Sequence, residues 1–250
     1  MILCVAIGNT RIQCAVGVSS NYKQAAVDTS EIACDACFAE FLHEHLGAEL
    51  LAKLDGCIVA SVVPNKTQAV VDAIRQKNSN VPIRFIDKVG CGVDFSRYNG
   101  NLGEDRAVCC MAAVKKHQMP VVVIDFGTAT TVNVVNSGKV FLGGAILAGV
   151  QTGIDALSNA TAQLPLVEDF TAVKAIGGGT RECIASGAVM GAAFAVEGYV
   201  KCIAKELKTE PVVIITGGNA TKVVPHCNFE FVYEPSLLME GMFLIYEDTK

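Results

Sequence analysis

Hydrophobic and polar positions along the chain fall into one pattern, written twice. Residues 2–8 are an unbroken apolar run, and 11–18 and 22–29 are β-rich runs set off by short turns, which predicts a three-stranded meander. "CDACFAEFLHEHLGAELLAKL" (34–54) carries apolar residues at helical spacing, and "GCIVASVVP" (56–64) is a strand ended by Pro64. A helix over 66–77 and a strand over 81–87 follow, then a loop rich in Gly, Asn, Asp and Tyr (89–102). "GEDRAVCCMAAVKKH" (103–117) is a helix, acidic in its first turn and basic in its last, as the macrodipole favours.

From Pro120 the pattern restarts. Strands are predicted at 121–125, 129–135 and 138–142, helices near 150–160 and at 180–207, and a buried strand over "PVVIITGG" (211–218). "EFVY" (230–233) adds a strand and "SLLMEGMFLIYED" (236–248) a closing helix. Two turns match across the copies. When "CVAIGNTRI" (4–12) is laid over "VVVIDFGTATTVNVV" (121–135), Gly8 falls on Gly127 and Ala6 on Asp125. The expectation is an α/β chain of two like domains, 1–117 and 118–250, each a mixed sheet flanked by helices. No flexible linker parts them, so they are expected to pack closely around a cleft.

Composition narrows the function classes. The net charge is −5, the pI is about 5.4, and Lys and Arg are scattered, so no basic stripe invites a nucleic acid. No purely apolar stretch reaches about 18 residues, which argues against a membrane span, and no leader pattern opens the chain, so a cytoplasmic location is expected. Most of the 11 cysteines lie in apolar company, as buried thiols of a reducing compartment do. Cys34 and Cys37 form a lone C-x-x-C followed by His43 and His45. On a helix those two histidines diverge by about 200°, so they do not complete a zinc site.

The turns carry the candidate chemistry. A Gly-Asn-Thr hairpin after a buried strand offers backbone N–H groups and a hydroxyl to phosphates, and a carboxylate at a strand end holds a cation beside them. Two such turns facing each other grip a nucleoside triphosphate. "ITGGN" (215–219) adds a glycine turn where backbone closely approaches a flat base or a ribose. "GGGTRE" (177–182) lacks the lysine and spacing of a Walker A loop and reads as the cap of the long helix. Phosphoryl transfer also needs a base for the acceptor hydroxyl, and Asp105 at the head of a helix is the candidate. An Asp in a first helical turn is good capping chemistry and, on the residues alone, needs no other reason. Arg106 is suited to an acidic substrate or to pairing with its acidic neighbours.

Taken together, "IGNT" (7–10), "SVVP" (61–64), Tyr98 with "GEDR" (103–106), "DFGTATT" (125–131), "GGAI" (143–146), "LP" (164–165), Thr180 with "SG" (186–187) and "TGG" (216–218) resemble the type III pantothenate kinases. The resemblance implies duplicated ribonuclease-H-like domains of the acetate and sugar kinase/Hsc70/actin superfamily. It implies ATP-dependent phosphorylation of pantothenate to 4'-phosphopantothenate, the first step of coenzyme A synthesis. It also implies a homodimer, Mg²⁺, and a monovalent cation, K⁺ or NH₄⁺. By motif, Asp105 is the general base, Arg106 binds the pantothenate carboxylate, Tyr98 and Gly103 line that pocket, and Thr180 reaches in from the second subunit. Gly8, Asn9, Thr10, Thr128 and Thr131 hold the phosphates, Gly217 and Gly218 sit by the adenosine, and Asp125 holds the monovalent cation. The chain departs from the family pattern at Ala6, where an Asp for the nucleotide's Mg²⁺ is usual. It departs also in "NGN" (99–101) and at Ala148, where prolines are usual. The Ala6 departure implies a weakened kinase or, alternatively, a relative that binds nucleotide or pantothenate without turnover.

Overall fold

The computed structural model describes all residues except 90, 171, 172, 249 and 250, so what the sequence leads one to expect at those five positions lies outside the described residues. The chain forms two compact units. The first comprises Met1–Gly92, Asn99–Lys115 and Ser236–Lys250, the second Val93–Tyr98 and Lys116–Pro235.

In the first unit β1 (Ile2–Ile7) is buried at every residue, which is why it reads as an unbroken apolar run. It pairs antiparallel with β2 (Arg11–Val18) and parallel with β4 (Gly56–Ser61). With β3 (Asn21–Asp28) and β5 (Ile83–Phe85) the sheet order is β3-β2-β1-β4-β5. Leu3, Val5 and Ile7 face a core shared with α1 (Asp35–Leu46) and α3 (Pro64–Lys77). Each such fully buried side chain stabilises the fold by about 1.5–3 kcal/mol. The helix expected over 34–54 is divided: Gly47, at φ +93°, ends α1 and starts the short α2 (Ala48–Ala52).

The second unit repeats the plan. β6 (Val121–Phe126) pairs antiparallel with β7 (Ala129–Val135) and parallel with β9 (Val212–Thr216). With β8 (Phe141–Ala148) and β10 (Val232–Tyr233) the order is β8-β7-β6-β9-β10, the first sheet's topology again. Val122, Ile124 and Phe126 pack against α5 (Val150–Ala160) and α6 (Thr180–Leu207). By length and composition α6 could cross a bilayer, yet Ile184, Ala185, Val189, Ala193 and Val196 along it lie in this core.

Two expectations need correction. The third strand of the second copy runs over Phe141–Ala148, not 138–142. Residues 136–140 turn instead, with the Asn136 side-chain oxygen accepting from the N–H groups of Gly138 and Val140. Gly143 and Gly144 look like turn residues but lie inside the strand, and a Cβ on Gly144 would fall 1.8 Å from the Val132 carbonyl oxygen. The closing helix, α8 (Leu237–Asp248), was assigned by the repeat to the second half, yet it returns to the first unit, against β1 and β2. Its fit there is tight: a Cβ on Gly241 would lie 2.9 Å from both Ala112 Cβ and Val108 Cγ1 of α4 (Glu104–Lys116).

Gly241→Ala is therefore expected to push α8 off α4 and to cost about 1–3 kcal/mol, the usual range for overpacking. A thermal melt of parent and variant would read this as a lowered Tm, and an unchanged Tm would mean that α8 shifts freely.

Candidate active site

In the first unit the Gly8–Asn9–Thr10 turn joins β1 to β2. Gly8 N–H donates to the Arg11 carbonyl at 2.9 Å, and a Cβ on Gly8 would lie 2.9 Å from that same oxygen. Thr29, buried at the end of β3, braces the turn from behind. Its Oγ1 donates to the Gly8 carbonyl at 2.7 Å and its N–H to the Thr10 carbonyl at 2.9 Å. Asn9 and Thr10 remain exposed. Ala6, one strand residue before the turn's approach, is buried and pairs with Gln13 on one side and Ala60 on the other.

The same unit presents Asp105 and Arg106, both partly buried, in the first turn of α4. The Asp105 Oδ1 accepts from Arg106 N–H at 2.7 Å. Gly103 is fixed by crowding, since a Cβ there would meet Asp105 Oδ1 at 2.6 Å and Val62 Cγ1 at 3.4 Å. Glu104 ties this helix head to the sheet, its Oε2 accepting the Ser61 N–H at 2.7 Å. Ser61 Oγ in turn accepts from Val63 N–H and Thr67 Oγ1. Lys88 Nζ donates to the Leu102 carbonyl, just upstream. Burial raises the Glu104 carboxyl above its ordinary range, while the Ser61 N–H and the Lys88 ammonium pull it down and Asp105 adds to the rise.

In the second unit Asp125 sits at the end of β6, in register with Thr131 on β7 and Thr216 on β9. A carboxylate between two threonines thus crosses three neighbouring strands, on the sheet face away from α5 and α6. Thr131 and Thr216 are buried, and Thr131 Oγ1 accepts from Asn133 Nδ2 at 3.0 Å. Gly217, at φ +103°, folds over the row, and a Cβ there would lie 2.3 Å from Asp125 Oδ1. Asn219 locks the turns together, donating its N–H to the Phe126 carbonyl and Nδ2 to the Gly127 carbonyl. Thr128 is exposed, its carbonyl accepting from Gly149 N–H and Thr152 Oγ1. Gly218 has open space where a Cβ would stand.

The site residues named from the sequence therefore form two groups in the first unit, the Gly8–Thr10 turn and the α4 head, and one in the second around Asp125 and Gly217. Tyr98 belongs to the second unit, edge-on to Phe141 at 5.3 Å and 3.8 Å from where a Gly143 Cβ would stand. Thr180 is exposed at the start of α6, across the sheet from Asp125. Sequence reasoning missed Thr29, Glu104 and Thr216 as parts of this arrangement. Thr216 is the first residue of "TGG" and Glu104 the second of "GEDR", but the bonds through which Glu104 and Thr29 act form only on folding.

The donor set suits a hard cation. Asp125 brings a carboxylate with two hydroxyl-bearing neighbours, and no group of three or more His, Cys, Asp and Glu side chains forms a cage among the described residues. Carboxylate and hydroxyl oxygens are the kind of ligand that hard cations take.

Comparison with known proteins bears on these groups. A family model described as type III pantothenate kinase matches residues 2–202. The type III pantothenate kinase of Moorella thermoacetica is 31% identical over 252 residues, covering 99% of both chains. Among solved structures, a conserved Baf-family protein from Campylobacter jejuni superposes with a TM-score of 0.64 at 18% identity, covering 99% of this chain and 98% of that one. The Lmo2764 protein of Listeria monocytogenes, assigned provisionally to the N-acetylmannosamine kinases, gives 0.55 at 11% identity with 99% of each chain covered. Both share the duplicated actin-like fold.

The Glu104 environment has a pH signature. Its pKa is higher folded than unfolded, so the folded state holds the proton more tightly. The protonated form's stability is lost as pH rises from about 4.3, the ordinary Glu value, through the raised one. Glu104→Gln keeps an acceptor for Ser61 and does not titrate. The Tm of the Gln variant relative to the parent is expected to increase between about pH 4 and about pH 7, and a constant offset would contradict the raised pKa.

Proposed function

The chain belongs to the type III pantothenate kinases, which phosphorylate pantothenate with ATP in coenzyme A synthesis, and we propose that Asp105 is the base of this transfer in it. The observation that carries the assignment is the fixed head of α4. The Glu104–Ser61 bond anchors its backbone, and the Arg106 N–H holds the Asp105 carboxylate. A base must be held that way before it can act. The pantothenate hydroxyl oxygen attacks the γ-phosphorus, Asp105 takes its proton, and the bond to the leaving ADP oxygen breaks. In a loose transition state little proton transfer is needed early, so positioning counts for most of the effect. Arg106 offers a planar fork for the substrate's carboxylate, with Gly103 beside it on the same helix head.

For the nucleotide, the braced Gly8–Asn9–Thr10 turn supplies phosphate contacts in the first unit, and Thr128 and Thr131 supply them in the second. Thr131 is the more deeply buried of these and is already engaged by Asn133, so its part is to order the row beside Asp125. Gly217 and Gly218 lie along the adenosine. Asp125 holds a monovalent cation, K⁺ or NH₄⁺, and Mg²⁺ arrives with ATP. When bound, these cations neutralise charge that develops on the phosphates.

A second copy completes the assembly in this reading. β8 is an edge strand with Leu142 and Ile146 exposed, and α6 exposes Phe194 and Tyr199. A groove of roughly 680 Å³ opens between β8 and α6, lined by Leu142, Gly144, Ala195, Gly198 and Tyr199 among others. Unpaired edges and large apolar patches are normally covered. Thr180, exposed at the start of the same helix, is then presented to the partner. Leu142→Asp and Tyr199→Asp are expected to convert a dimer to a monomer by light scattering; a parent that is already monomeric, or a dimer that survives both changes, would sink this interface.

Ala6 leaves the first unit without the carboxylate that Asp125 gives the second. Losing one preorganised electrostatic contact costs about 10²–10³ in rate. Formation of phosphopantothenate from Mg-ATP, with and without K⁺, tests the whole scheme. Asp105→Asn is expected to lower kcat by about 10²–10⁴, and Ala6→Asp to raise it. Unchanged kcat in Asp105→Asn would remove the base assignment. A parent that binds ATP and pantothenate without turnover would favour the binding-only reading.

A further inference from the structure

The C-x-x-C of the first unit is not used by the kinase chemistry, and its geometry is that of a redox centre. Cys34 is the N-cap of α1, with extended backbone (φ −148°, ψ 175°), and Cys37 lies one turn inside the helix. Their sulfurs are 3.2 Å apart. Cys34 is exposed and Cys37 half-buried, so an incoming molecule reaches the first thiol and the second stands behind it. The backbone N–H of Cys37, then its thiol and the N–H of Ala36, hold the Cys34 pKa below the ordinary thiol range, against opposing pushes from desolvation and, less, from Asp35. Elsewhere burial does the reverse. It takes Cys110 up to about 12 and Cys227 to about 11, and it raises Cys4, Cys14 and Cys57 strongly.

Metal binding fits the pair less well. No group of three or more ligating side chains exists among the described residues, and His45 is stacked on Phe41 with Nδ1 at the Phe41 carbonyl.

We propose that Cys34 and Cys37 form a reversible dithiol–disulfide site that exchanges with low-molecular-weight disulfides. Cys34 thiolate attacks one sulfur of the small disulfide, an S–S bond forms, and one small thiolate leaves. Cys37, giving up its proton, then attacks the Cys34 sulfur and expels the second small thiolate, which is protonated. The protein dithiol is oxidised by two electrons and the small disulfide is reduced to two thiols.

The test is to incubate the reduced full chain with oxidised glutathione, alkylate the remaining thiols and map peptides by mass spectrometry. The peptide holding both residues is expected to lose two hydrogens and resist alkylation, and dithiothreitol should restore both thiols. In Cys37→Ser, Cys34 should accumulate as the glutathione mixed disulfide, because nothing resolves it; in Cys34→Ser, Cys37 should remain free. Two results would overturn the proposal. One is a parent whose Cys34 and Cys37 both alkylate fully while Cys183 or Cys202 takes up glutathione. The other is a parent in which the Cys34 mixed disulfide persists as it does in Cys37→Ser.

Discussion

The polar row of the second unit depends on an atom that is absent. Gly217 crosses the end of β6 so closely that any Cβ would lie 2.3 Å from an Asp125 oxygen and 2.5 Å from the Phe126 nitrogen. Its φ of +103° is likewise one that only glycine adopts without strain. Because that backbone can pass, the turn after β9 reaches the turn after β6, and Asn219 fastens one to the other through the carbonyls of Phe126 and Gly127. Asp125 thereby lies among backbone and two threonines in register with it rather than among bulky side chains.

The two units show how one architecture carries two kinds of site. Asp125 and Ala6 are each the fifth residue of a central strand with the same neighbours, one antiparallel and one parallel. Where Asp125 has Thr131 and Thr216 in register, Ala6 has Gln13 and Ala60. The apolar Ala6–Ala60 pair closes that spot in the first unit, and the candidate chemistry there moves to the head of α4.

Much of this was legible in the sequence. The repeat showed because buried central strands must read as apolar runs and meander turns need small residues, and both constraints are local. The matched Gly8 and Gly127 turns, Asp105, Asp125 and "TGG" were visible for the same reason. What escaped depends on distant packing. The third strand was expected over 138–142 but runs over Phe141–Ala148, where Gly144 is required by the Val132 carbonyl alongside it. The closing helix followed the repeat in sequence but not in space. Gly241 fits it to α4 of the first unit, and Gly56 sits where a Cβ would collide with the Tyr246 hydroxyl.

The position of the proposed base follows from a backbone group that the sheet cannot satisfy. β5 pairs with β4 only from Cys57 to Val59, and its last residue is Phe85. The Ser61 N–H lies beyond that ladder, and a part-buried donor left unbonded costs about 1–3 kcal/mol. Glu104 supplies the acceptor from the first turn of α4, where acidic residues are also favoured by the helix dipole. The bond that completes the end of β4 therefore also sets the height and rotation of α4 against it. Asp105 is the next residue along that turn, so its carboxylate is placed by a neighbour's duty to the sheet. A pair of acidic residues that looks in sequence like simple helix capping thus divides its work: the Glu104 carboxylate orders the end of β4, and the Asp105 carboxylate is the proposed base.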